Sequence, residues 1–196
     1  LYIRERGIGL MQWDGKKLTK IQGSELFENT GIFLMVPFGK KKNEILIGTQ
    51  DSGFQIFNCS RNENTFRPFT VSDKALFEQS KVTGGVLTTD GSIAISTMLD
   101  GIIIIDTAGH TLEIINRKTG LADNDVKQVI ADKNQNLWLA LNNGISAIEN
   151  TSPLSFYSEK SGIHGSVDAV IRHKGLLYAG TSTGLFVQKT KPLDEN

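Results

Sequence analysis

The residues of this 196-residue chain that could do chemistry are few and scattered. The run Asp132-Lys133-Asn134-Gln135-Asn136 has the Asp-x-Asn-x-Asn spacing of a calcium loop, in which alternate oxygen donors converge on one hard cation. It lacks the glycine that should come next, where Leu137 stands, and the glutamate at the twelfth position, where Asn143 stands. The run is therefore read as a hairpin turn whose side chains bond the backbone. His110, His164 and His173 form no His-x-x-x-His or Glu-x-x-His pair, so no metal is expected. Cys59, the sole cysteine, excludes a disulfide framework and has no partner in a nucleophile motif. There is no Gly-x-Ser-x-Gly elbow, phosphate loop or dinucleotide fingerprint. The expectation is a segment that is not an enzyme, with no catalytic residue and no cofactor. Propeller hydrolases use scattered carboxylates that no motif marks, and Asp51, Asp100, Asp123, Asp125 and Asp168 are the residues such a reading would draw on.

Lys+Arg and Asp+Glu are both 21, so the formal net charge is zero and no global attraction to nucleic acid or anionic lipid exists. Lys40-Lys41-Lys42 reads as a solvated hairpin tip. Apolar runs such as Ile32–Val36, Ile102–Ile105 and Leu137–Leu141 fall far short of the roughly 20 residues that span a bilayer. The start at Leu1-Tyr2-Ile3-Arg4, in what reads as a strand, is expected of a piece cut from a longer chain.

The elements that must position these residues show themselves by repetition. Leu46-Ile47-Gly48-Thr49, Ala94-Ile95-Ser96-Thr97, Trp138-Leu139-Ala140-Leu141 and Tyr178-Ala179-Gly180-Thr181 each end a strand, and each is followed by a polar turn. Gly plus an apolar residue then begins the next strand: Gly53-Phe54, Gly101-Ile102, Gly144-Ile145 and Gly184-Leu185. From Gly48 through Ser96 and Ala140 to Gly180 the spacings are 48, 44 and 40. Strand-only repeats of about 40–45 residues are propeller blades of four antiparallel strands. The expected fold is all-β, with about four blade-equivalents forming an arc of a larger, seven-bladed propeller; a closed ring of four, its terminal halves paired, is the alternative. A single propeller domain over 1–196 would comprise a half blade at about 1–23, blades at 24–71, 72–117 and 118–160, and a final half at 161–190. Val126–Ala131 with Leu137–Leu141, and Val167–Arg172 with Leu176–Gly180, read as hairpins. Asp73–Gln79 reads as one or two helical turns capped by Ser72, inserted where the repeat is longest. Gly48 and Gly180 are expected where a side chain would strike the next blade.

Gly120-Leu121, Asn124-Asp125-Val126, Asp132, Leu137-Trp138-Leu139-Ala140 and Gly144-Ile145 together resemble the two-component regulator propeller repeat. Gly162-Ile163 through Val167, Leu177-Tyr178-Ala179-Gly180-Thr181 and Gly184-Leu185 resemble it again. The resemblance covers residues 118–189 well and the earlier blades less, where Leu46 and Ala94 replace the tryptophan. It implies a periplasmic, ligand-sensing region of hybrid two-component histidine kinases, whose parents are homodimers anchored in the inner membrane. The ligands it implies are oligosaccharides. A propeller serving as a protein-interaction or dimerisation scaffold is the alternative, and a propeller-fold polysaccharide lyase or glycosidase a third.

In a propeller, the loops between the middle strands and those leading into the next blade share one face. Of the residues on it, Arg117, Asn124, Asn142, Asn143 and His164 are the expected ligand contacts, because amides and cations suit hydroxyl-rich sugars. No nucleic acid is an expected partner, and no membrane segment is seen in this chain.

Overall fold

A computed structural model of the chain describes residues 1–39, 43–50, 53–60, 63–149, 162–174 and 176–187. The chain divides into two compact units, residues 1–151 and 152–196. In the first unit, sheets follow one another in chain order. The first holds β1 (Tyr2–Glu5), β2 (Gly9–Trp13) and β3 (Leu18–Lys20). The second holds β4 (Ile32–Pro37), β5 (Glu44–Thr49), β6 (Phe54–Ser60) and β7 (Glu63–Phe69). The third holds β8 (Val82–Leu87), β9 (Ile93–Thr97), β10 (Ile102–Ile105) and β11 (Thr111–Ile115). The fourth holds β12 (Val126–Ala131), β13 (Leu137–Leu141) and β14 (Gly144–Ile148); residues 150–161, which follow it, lie outside the described set, as do Lys40–Lys42. In the second unit, β15 (Val167–His173), β16 (Leu176–Thr181) and β17 (Gly184–Val187) form one sheet. Every sheet is an antiparallel meander of sequence neighbours.

The apolar run Ile102–Ile105 shows why these strands need covers on both faces. Side chains alternate across a strand. Ile103 and Ile105 join Leu34, Leu46, Phe54, Ile56, Ile93 and Ile95 in a core between the second and third sheets. Ile102 and Ile104 face the other way, with Ala94, Val126, Val129, Leu137 and Leu139, between the third and fourth. A third core, Leu10, Ile21, Phe27, Ile47 and Phe57, joins the first sheet to the second. There Phe57 stacks on Phe66 at 4.7 Å and meets Tyr2 edge-on at 5.5 Å. Strand β9 is buried along its whole length, as a strand covered on both faces should be.

The helical insertion is α1 (Lys74–Ser80). Its cap is Asp73, whose carboxylate accepts the Leu76 N–H at 3.1 Å, and not Ser72. Ser72 is tied instead to the third sheet: its N–H donates to Gly109 O at 2.8 Å, and its hydroxyl accepts from Thr111 N at 3.3 Å.

The expectation for Gly48 and Gly180 is corrected. A Cβ at Gly48 would meet Leu34 and Phe54 of its own sheet at 3.0 Å, and one at Gly180 would make only ordinary contact, 3.8 Å from Ala169. The intersheet approach falls at Gly85, where a Cβ would collide with Leu34 of the second sheet.

The first strand of the second, third and fourth sheets, and of the sheet in the second unit, carries an unpaired residue at one place: Phe33, Thr83, Lys127 and Asp168. An extra residue at a strand's start bends it and breaks its side-chain alternation.

Candidate functional site

The calcium-like run is a turn. The Asp132 carboxylate accepts the N–H groups of Asn134 at 2.8 Å and Asn136 at 2.9 Å, the Asn136 amide at 3.2 Å and the Trp138 indole N–H at 3.1 Å. Four N–H donors occupy its oxygens, and among the described residues no group of His, Cys, Asp and Glu is gathered as for a metal. The Trp138 bond, followed by the Asn136 and Asn134 N–H groups, holds the Asp132 carboxyl below the usual carboxylate range. A depressed carboxyl keeps its bonds above the ordinary value of about 3.9 and loses them only as pH falls through the lower folded value. In a Trp13→Phe background, Trp138 emission is therefore expected to change with a midpoint below about pH 3.9, and Asp132→Asn to abolish the transition. A midpoint at or above that value would show that the indole does not bond the carboxylate. Cys59 is equally committed, its thiol donating to Asn43 O at 3.1 Å.

At one end of the first unit, the turns between middle strands are stitched to the loops that lead into first strands. Met98 N–H donates to Ser80 O at 3.0 Å, and the Ser80 hydroxyl reaches Asp100 Oδ2 at 2.6 Å. Gly101 N–H donates to Asn124 O at 3.0 Å, and Asn142 N–H to Asp125 O at 2.9 Å. The Gln50 amide donates to Val82 O at 3.2 Å. This end thus gathers Gln50, Met98–Gly101, the loop 116–125 and Asn142.

The loop 116–125 is held by its own side chains. Asn116 and Thr119 form a capping box around a single 3-10 turn at Arg117–Thr119. Gly120 closes the turn at φ +116°, and Leu121 is buried as an anchor. Asn124 Oδ1 accepts the Arg117 N–H at 2.8 Å. Arg117 and Asn124 are thereby adjacent, and Asn142 bonds the residue after Asn124. The Asn124 side-chain oxygen is taken within the loop, which makes that residue a brace whose amide N–H groups remain as donors. Arg117, Asn142 and Asn143 are exposed. Beside them, Asp125 Oδ1 is buried without a partner, while its Oδ2 takes Lys127 Nζ at 2.7 Å.

In the second unit, His164 is exposed and occupies the corresponding loop. Its carbonyl accepts the Thr183 hydroxyl at 2.6 Å, Ser182 N–H donates to Ser166 O at 3.0 Å, and its ring meets Phe186 at 6.4 Å.

Sequence reasoning missed a recess of about 400 Å³ in the first unit, between α1 and strands β6 and β7. Phe54, Phe69, Phe77, Pro68 and Val71 give it apolar walls, and Gln50, Gln55, Thr70, Lys74 and Glu78 its polar ones. The available signal was the longest repeat spacing, with Lys74 and Glu78 four residues apart on the predicted helix.

No protein-family profile and no curated protein matches the chain. Solved structures do. The Cps50 (Swd1) β-propeller domain of Myceliophteria thermophila is similar at 12% identity and TM-score 0.52, over 93% of this chain and 62% of that one. The sheets are propeller blades. The extracellular domain of the hybrid two-component system BT3049 from B. thetaiotaomicron is similar at 23% identity and TM-score 0.56, over 96% of this chain and 25% of that one. The chain thus spans about a quarter of that domain's length. The gluconolactonase XC5397 of Xanthomonas campestris is similar at 14% identity and TM-score 0.52, over 70% of this chain and 42% of that one. The fold is common to the extracellular domain of a two-component system and to a gluconolactonase, so function must be argued from the loops.

Proposed function

We propose that this chain is a ligand-sensing segment of a larger propeller, part of the extracytoplasmic region of a hybrid two-component sensor, and that it takes an oligosaccharide at the stitched loop end. The observation that carries this reading is the braced loop 116–125, which holds Arg117 and Asn124 together and abuts Asn142. Such a loop presents donors and acceptors to hydroxyl groups from a braced backbone, which lowers the cost of ordering them. Asn143 extends it in the first unit, and His164 offers a further contact in the second. The likeness to the BT3049 extracellular domain supports the sensor role and an extracytoplasmic location; the repeat resemblance over residues 118–189 is what implies the periplasm and a parent that works as an inner-membrane-anchored homodimer with a histidine kinase. The segment itself acts by binding and not by catalysis.

The test is calorimetry of the parent ectodomain with glycan-derived oligosaccharides. Arg117→Ala is expected to weaken binding about tenfold or more, since hydrogen bonds to charged groups contribute roughly 1.5–3 kcal/mol. Absence of binding by the unaltered ectodomain to any oligosaccharide overturns the reading. The scaffold alternative draws on Met98 and Leu99, which are 38% and 58% exposed at the same end. It predicts instead that Leu99→Ser abolishes a protein contact and leaves saccharide titrations flat.

A further inference from the structure

The recess beside α1 lies next to the stitched loops, since Gln50 belongs to both. We propose that it holds one ring of an uncharged, hydroxyl-bearing saccharide and rejects acidic sugars. This rests on the saccharide reading above and assigns a place and a charge preference to it.

The recess does not come from the repeat. In the first unit, the links from Lys20 to Ile32 and from Ile115 to Val126 carry only 3-10 turns, at Glu25–Phe27 and Arg117–Thr119. The link from Phe69 to Val82 carries α1, and α1 supplies Lys74, Phe77 and Glu78 to the recess. Its volume of about 400 Å³ lies in the range of small-molecule sites. The buried rings of Phe54 and Phe77 meet edge-on at 5.1 Å and form the floor, while Phe69, partly exposed and 6.5 Å from Phe54, offers the ring for the C–H face of a sugar. Gln50, Gln55 and Thr70 supply amide and hydroxyl groups, each able to donate and accept, as hydroxyls require.

The charges decide the preference. Lys74 Nζ and Glu78 Oε1 are 3.3 Å apart across one turn of α1, so among the described lining residues the charges balance and the cation already has a carboxylate. A uronate or sulfated sugar would bring a second anion beside Glu78 and would have to compete with it for Lys74.

The experiment titrates the chain by calorimetry and ligand-observed NMR with neutral disaccharides (cellobiose, arabinobiose, galactobiose) and with digalacturonate. At least one neutral disaccharide is expected to bind, Gln55→Ala to weaken it about tenfold, and digalacturonate not to bind. Glu78→Gln frees Lys74 and is expected to admit digalacturonate, a gain that misfolding cannot mimic. If Gln55→Ala and Glu78→Gln leave both ligands unchanged while Arg117→Ala abolishes neutral binding, the recess is not the site and the saccharide reading survives. If digalacturonate binds the unaltered chain as well as the neutral sugars, the charge preference fails. If no disaccharide binds the chain, the recess proposal fails, and the saccharide reading is decided separately by the titration of the parent ectodomain.

Discussion

Gly101→Ala is expected to destabilise the first unit by about 3 kcal/mol or more, while the same change at the repeat-equivalent Gly144 costs about 1 kcal/mol. Both glycines sit at positive φ, +75° and +101°, so both substitutions pay for a left-handed backbone with a Cβ. Their surroundings differ. At Gly101 a Cβ would land on the carbonyl oxygen of Ile115 and lie 3.1 Å from Asn116 Cα, backbone atoms that cannot swing aside. At Gly144 nothing lies within 4 Å. The Gly101 N–H also donates to Asn124 O at 3.0 Å, so the displacement reaches the loop that carries Arg117. Thermal denaturation measures both. A domain of this size shifts by roughly 2–4 °C per kcal/mol, which gives Gly101→Ala a loss of about 6–12 °C and Gly144→Ala a few degrees. Equal losses would mean that the close approach to Ile115 does not exist.

Phe77→Ala is expected to cost about 3–5 kcal/mol, and to release α1 before the sheets. Seven residues make about two helical turns, too few to hold together in water on propensity alone. What holds α1 is burial of Phe77 against Phe54, together with the Ser80 hydroxyl, which bonds Leu76 O and Asp100 Oδ2, each at 2.6 Å. Without the ring, amides of α1 should exchange hydrogen rapidly while β9 stays protected. Lys74→Ala, which removes only a surface pair, should change stability by about 0.5 kcal/mol or less. Continued protection of α1 in Phe77→Ala would show that the helix docks by other contacts and that the recess does not depend on it.

The repeat was legible because it is enforced locally. A glycine at positive φ opens the third strand at Gly53, Gly101, Gly144 and Gly184, or just before it, and an aspartate takes N–H groups in the turns at Asp14, Asp90, Asp106 and Asp132. Val126–Ala131 and Leu137–Leu141 therefore appear as strands with those bounds. The helix was legible in place, though not in its cap. Ser72 and Asp73 are both capping residues, and the choice between them depended on Ser72 being claimed by Gly109 and Thr111, some 37 and 39 residues away in sequence. Of the candidate site, Arg117 and Asn124 could be placed at one end of a blade. That Asn124 would spend its side-chain oxygen on the Arg117 N–H could not be read, because it depends on the closed shape of the loop.

By itself the sequence determined the antiparallel meanders, the period that divides them and the end on which the polar turns gather, since each is set by residues within one hairpin of each other. Only the tertiary structure decided which glycine is crowded and which first-strand residue is left unpaired, as at Phe33, Thr83 and Lys127. It alone also showed that α1 encloses a recess against β6 and β7. The recess arises where α1 meets a sheet folded apart from it, while the crowded glycine and the unpaired residues follow from the register and bend of paired strands, which neither strand specifies alone.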